Sequence, residues 1–202
     1  KALSTSPDWV SMTPSGRSCV VSGTTAYNRT FTTARTLLNG SEHADLALGA
    51  DGDDYYVYVD FADTGYIRMV DIDTGVNTAL FPTYINGATT SLHISGKAFS
   101  RPGWAVISTF NHSGSSEQWL HERVMAFELK ANPKLINLAH HHSYYNGYWT
   151  QPQASVSRDF SRIMFTSNWG STSATDVDDY MIRLSDNTFG GSVTPPPPPP
   201  PA

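Results

Sequence analysis

The chain contains a single cysteine, Cys19, among its 202 residues. An intrachain disulfide and a cysteine-based zinc site are therefore excluded. Cys19 reads as a small buried hydrophobe in the strand Ser18-Cys19-Val20-Val21. Lysine is scarce, at Lys1, Lys97, Lys130 and Lys134 alone, and the formal net charge is −5. No basic patch is present to neutralise a phosphate backbone, which argues against a nucleic-acid partner. No apolar run approaches the roughly 18 residues that a membrane span needs. No signal peptide is legible, and the start at Lys1 without Met reads as a processed or excised piece. No segment has the periodicity of an amphipathic helix, and no nucleophile elbow or phosphate loop occurs.

What the chain does have is turn and strand chemistry. Charged residues make up 15% and aromatic residues 12%, with ten Tyr and five Trp. Ser, Thr, Gly and Asn abound, a balance that suits an all-β secreted or periplasmic protein. Sequons at Asn28, Asn39 and Asn111 are expected by chance at this Ser and Thr content.

A turn followed by an apolar strand occurs four times. The turns are Thr13-Pro14-Ser15-Gly16, Gly49-Ala50-Asp51-Gly52, Ser100-Arg101-Pro102-Gly103 and Ser157-Arg158-Asp159-Phe160. Pro or Asp followed by Gly bends the chain between antiparallel strands. The spacings, roughly 36, 51 and 57 residues, are those of β-propeller blades with four strands each. Second strands are expected at 18–21, 55–59, 104–108 and 163–166. Alternating third strands are expected at 66–71, 123–129 and 179–184, and short outer strands at 34–38, 76–80 and 135–139. Small apolar strands such as 44–48 precede the turns and would line the centre.

The expected architecture is therefore an all-β propeller of about four four-stranded antiparallel blades, in units near 4–40, 41–82, 89–139 and 148–188. Residues 191–202 form a Gly/Ser and polyproline linker, stiff as polyproline II from Pro195 to Pro201. The fourth unit lacks an outer strand. Either Lys1-Ala2-Leu3 closes a four-blade ring, or the chain is the C-terminal part of a larger propeller. The abrupt start favours the second reading. Another chain would then supply the missing blades or contact the proline tail.

The fourth unit carries Pro152, Ser157 and Asp159, then a Ser167-Asn168-Trp169-Gly170 corner. It resembles the TolB-type propeller repeat, whose usual form is His/Glu-Pro-x-x-Ser-x-Asp-Gly before an apolar strand and a Ser-Asn/Asp-Trp/Arg-Gly corner. Phe160 stands where that repeat has Gly. Proteins with such repeats include oligogalacturonate-lyase-like enzymes, periplasmic scaffold proteins and uncharacterised secreted propellers of bacteria. The whole chain looks most like the last group. Architecture of this kind does not deliver function.

Three groups of residues could carry chemistry. His140, His141 and His142 open a connection between blades, with His43, His93 and His121 near other unit boundaries. The lyase resemblance implies a His- and Gln-based site for a divalent metal (Ca or Mn), formed by His140, His141, His142 and Gln153. Such a site would acidify the proton beside a uronate carboxylate. Arg/Lys residues for that carboxylate are not evident. Tyr144, Tyr145 and Tyr148 form a candidate sugar platform, with Asn146 and Gln151 as hydroxyl partners, while Trp149 is expected to pack between blades. Acidic turns at Asp51, Asp71 and Asp176 could hold calcium, though Asp71 to Gly75 reads more simply as a β-turn. Asp8-Trp9 and Asn168-Trp169 read as corner packing.

The leading expectation is a secreted or cell-surface binding or assembly module, with a polysaccharide or partner protein as ligand. A metal-assisted uronate lyase and a structural subunit of an extracellular assembly are the alternatives.

Overall fold

β-Branched and aromatic residues alternating between turn signals resolve into four antiparallel sheets in sequence order. The computed structural model describes residues 7, 9–40, 42–63, 65–112, 114, 116–185 and 187–189. The first sheet comprises β1 (Val10–Met12), β2 (Ser18–Val21), β3 (Thr25–Asn28) and β4 (Ala34–Thr36). The second comprises β5 (Ala44–Leu48), β6 (Asp54–Asp60), β7 (Tyr66–Asp71) and β8 (Asn77–Pro82). The third comprises β9 (Ser91–Ser95), β10 (Trp104–Phe110), β11 (Arg123–Glu128) and β12 (Leu135–His140). The fourth has three strands, β13 (Ser155–Val156), β14 (Arg162–Ser167) and β15 (Asp178–Arg183). Each sheet is ordered along the chain, as a propeller blade is. The strands β5, β9 and β13 lie against one another at the inner edge.

The continuous apolar run of β6 follows from this stacking. Tyr55, Val57 and Val59 pack with Ile107, Met125 and Phe127 of the third blade. Tyr56 and Tyr58, pointing the other way, pack with Val20 and Ala26 of the first. The same alternation splits β11. Met125 and Phe127 face the second blade, whereas Val124 and Ala126 face Ile163 and Phe165 of the fourth. Blades buried on both faces need apolar residues at every position.

Among the described residues, apolar side chains of the two end blades stay exposed. Val10 and Met12 are exposed on the first, and Met164 and Met181, cross-strand partners, on the fourth. Among the described residues no apolar cluster joins the first blade to the fourth. Residues 1–6 and 190–202, to which the sequence assigns the closing strand and the proline spacer, lie outside the described residues.

Polar locks hold neighbouring blades in register. Asp54, buried at the start of β6, accepts the Ser15 N–H at 3.0 Å and the Ser15 hydroxyl. Asp45 accepts the Gly96 N–H at 2.9 Å and the Lys97 ammonium. A Cβ on Gly96 would sit 2.4 Å from the Leu46 carbonyl oxygen, so only glycine permits the inner strands to approach this closely. Ser95 and Ser108 accept N–H groups of Val156 and Ala154 across the next interface.

Several boundaries differ from the sequence reading. The outer strands expected at 34–38, 76–80 and 135–139 are Ala34–Thr36, Asn77–Pro82 and Leu135–His140. His93, expected near a unit boundary, lies within β9. Asp71 forms the expected turn, with its carboxylate accepting the N–H groups of Asp73 and Thr74 at 2.8 and 3.0 Å. Asp51 is likewise occupied by the Asp53 N–H and the Tyr55 hydroxyl.

Candidate functional site

Three connections meet at one end of the third and fourth blades. They join β10 to β11, β12 to β13 and β14 to β15. The second begins at the histidine triplet, where strand alternation separates the rings. His141 is fully buried. Its Nδ1 accepts the Ser143 N–H at 3.0 Å, so the proton sits on Nε2 and is donated to the Thr109 carbonyl at 2.8 Å. Burial pushes this imidazole down to about 4, against the pull of the Thr109 carbonyl. His141 is a neutral structural residue.

His140 and His142 point outward. His140 Nε2 lies 3.1 Å from Glu122 Oε2, and its Nδ1 accepts the His142 N–H at 3.3 Å. Burial also lowers His140, in opposition to Glu122. The His142 ring lies 4.7 Å from the Trp169 ring, which stacks on Tyr180 at 4.8 Å. The residues expected as a metal site, His140, His141, His142 and Gln153, are not placed as one group. Both His141 nitrogens are engaged within the fold, and the neighbouring rings face away from it. Among the described residues no three His, Cys, Asp or Glu side chains are placed to share a metal ion. Gln153 is exposed on the segment leading into β13.

Asn168 holds the aromatic connection in place. It is buried, accepts the Tyr144 N–H at 2.7 Å, and donates to the carbonyls of Tyr144 at 2.8 Å and Ser171 at 2.7 Å. The Ser143 hydroxyl closes the loop on the Thr150 carbonyl at 2.5 Å. The corner residue expected to be packing therefore also positions Tyr144.

The expected sugar platform divides. Tyr144 and Tyr145 line two adjoining cavities of about 270 and 340 Å³. The smaller is walled by Glu122, His140, His142, Tyr144 and Trp169. The larger is walled by Asn111, His112, Glu117, Glu122, Tyr144 and Tyr145. Glu122, Ser143 and Tyr144 belong to both. Tyr148 lies on a 3-10 turn, Tyr148–Thr150, and lines neither cavity. Trp149 beside it is 71% exposed, so its expected packing between blades is not found. Asn146 serves the loop, donating from Nδ2 to the Thr172 carbonyl at 2.6 Å. Gln151 accepts the His93 Nε2 proton at 2.7 Å, at the inner end of the site.

An aromatic row runs from the larger cavity across the neighbouring blades. Tyr145 stacks on Phe110 at 5.5 Å, Phe110 on His93 at 5.8 Å, and His93 on His43 at 5.8 Å. The row gives the cleft a firm floor, because each ring is fixed by its neighbours.

Glu117, Glu122, His112 and Trp169 are the lining residues that sequence reasoning missed. Glu122, His142 and Trp169 all have left-handed backbone, at φ +57°, +55° and +47°. Such positions cost of order 1–3 kcal/mol each and cluster where a site demands them. Here three of them wall one cavity.

No family model matches the chain, and no curated protein matches it in sequence. Among solved structures it is similar to TolB from Acinetobacter baumannii, with 11% identity and a TM-score of 0.49, over 86% of this chain and 40% of that one. It is also similar to an S511A mutant of puromycin hydrolase complexed with PGG, with 17% identity and a TM-score of 0.47, over 94% of this chain and 29% of that one. A third is an endo-1,4-beta-xylanase from Bacteroides thetaiotaomicron, with 11% identity and a TM-score of 0.45, over 91% and 72% of the two chains. The chain thus spans less than half the length of the TolB and hydrolase chains it matches.

Proposed function

We propose that this β-propeller module binds a saccharide in the paired cavities at the junction of the third and fourth blades. The observation that carries the reading is the wall of aromatic side chains, with Tyr144 and Trp169 exposed and Tyr145 half-buried, set around polar side chains on strained backbone. Pyranose rings present C–H faces that lie flat on aromatic rings, and their hydroxyls need convergent hydrogen-bonding groups. Asn111, Glu122 and His142 offer these. A concave site with a few convergent polar groups is the usual form of a small-ligand pocket. The Ser/Thr-rich, Lys-poor composition supports an extracellular or periplasmic setting for this binding.

Calorimetric titration with a panel of short oligosaccharides tests the reading. Tyr144→Ala and Trp169→Ala should each weaken binding about tenfold, equivalent to about 1.4 kcal/mol. Tyr148→Ala should leave it unchanged. Failure of every saccharide to bind, or loss of binding through Tyr148 instead, would overturn the proposal.

A further inference from the structure

We infer that the saccharide is a cationic one: the cleft is built for a 2-amino-2-deoxy sugar unit, with its ammonium group set against Glu122 and Glu117. This rests on the saccharide reading above. Among the described residues, the Asp, Glu, Lys and Arg side chains that line the cavities are the two carboxylates Glu117 and Glu122. Arg123, next in sequence to Glu122, lines neither cavity; its Nε donates to the Trp119 carbonyl at 3.2 Å, and its charge is felt at His140.

His140 touches Glu122, yet burial holds it toward its neutral form. His121 is buried, and its Nε2 proton is donated to the Thr89 carbonyl at 2.9 Å. Its Nδ1 makes no hydrogen bond and lies 3.4 Å from Glu117 Oε2. Glu117 Oε1 meanwhile accepts the Asn111 Nδ2 proton at 3.0 Å, which aims the carboxylate along the cavity wall.

Carboxylates between aromatic faces suit an ammonium ion in two ways. Charge attraction is stronger in a partly enclosed cleft than in open water, and it weakens with salt. The faces of Tyr144, Tyr145 and Trp169 attract a cation as well. The same carboxylates repel a uronate, the ligand that the lyase resemblance implies.

The test compares three tetramers by calorimetry, at a pH that protonates the sugar amines. They are β-1,4-linked glucosamine, its fully N-acetylated counterpart and galacturonate. The glucosamine tetramer should bind at least about tenfold tighter than the acetylated one, with galacturonate silent. Glu122→Gln should remove that preference, and Glu117→Gln should reduce it. Equal binding of the two glucosamine forms, or a preference that survives the double variant with native circular dichroism, would overturn the ammonium assignment and leave the saccharide reading standing. Silence of all three tetramers would overturn both. Tetralysine binding as tightly as the glucosamine tetramer would show that charge alone is read, and would also overturn the saccharide assignment.

Discussion

Phe160 holds a backbone conformation that the corresponding positions of the other blades give to glycine. Its φ is +62°, against +72°, +87° and +87° at Gly16, Gly52 and Gly103. A left-handed phenylalanine is strained by about 1–2 kcal/mol, and burial offsets the strain. The ring is 1% exposed and meets Phe189 edge-on at 4.6 Å. Phe160→Ala should therefore lower unfolding free energy by about 3–5 kcal/mol. Phe160→Gly, though it removes more, should be milder than Phe160→Ala by about 1 kcal/mol, because glycine accepts this φ freely. Denaturant midpoints of the two variants check the order.

His141 makes a second prediction at this scale. Its imidazole is held at about 4 rather than its ordinary 6.5, chiefly by burial. A group lowered on folding stabilises fully above its unfolded value and loses that contribution as pH falls. Stability should be level above about pH 6.5 and then decline toward about pH 4, by up to about 1.4 kcal/mol per unit. His93, also lowered by burial, should act in the same direction. Nuclear magnetic resonance of the His141 ring should show no protonation until well below pH 6, and titration near its ordinary value would contradict the assignment.

At the scale of elements, the turn into β14 shows why the fourth repeat is the most legible. Asp159 accepts the Ser161 N–H at 3.0 Å and the hydroxyls of Ser157 and Ser161 at 2.7 and 2.8 Å. These bonds, the backbone one foremost, hold its carboxyl down to about 2. Asp159→Ala should cost about 1 kcal/mol in thermal unfolding experiments. In the parent that contribution should disappear as the pH falls from about 4 toward 2.

Long alternating strands such as β7 and β11 were readable for the same local reason. Their inward residues repeat every second position. The strand β3 escaped because it is only four residues long and polar at both ends. The cleft was half legible. Tyr144, Tyr145 and the outward histidines stand in one eye-catching stretch. Glu117 and Glu122 lie in another connection, and Trp169 in a third. Only the stacking of two blades brings these together, and no local pattern encodes that. Trp149 misled because aromatic residues usually mark packing, whereas a 3-10 turn lifts this one into solvent.

Across the whole molecule, stability depends on interfaces between blades, each combining an apolar cluster with polar locks. Asp54 is the most deeply buried charged residue among these locks. Asp54→Ala should leave Ser15 without its acceptor and lower unfolding free energy by about 2–3 kcal/mol, measured by chemical denaturation. A change under about 0.5 kcal/mol would show that the first two blades are held by Tyr56 and its apolar neighbours alone.

The same stacking assembles the cleft, so the functional claim belongs to this scale too. The most direct test is chemical-shift mapping of the ¹⁵N-labelled protein titrated with the glucosamine tetramer. The account predicts shifts at the Trp169 indole N–H and at the backbone of Glu122, His142, Tyr144 and Tyr145, with Tyr148 and Trp149 unmoved. Shifts confined to Tyr148 and Trp149, or no shifts at all, would contradict it.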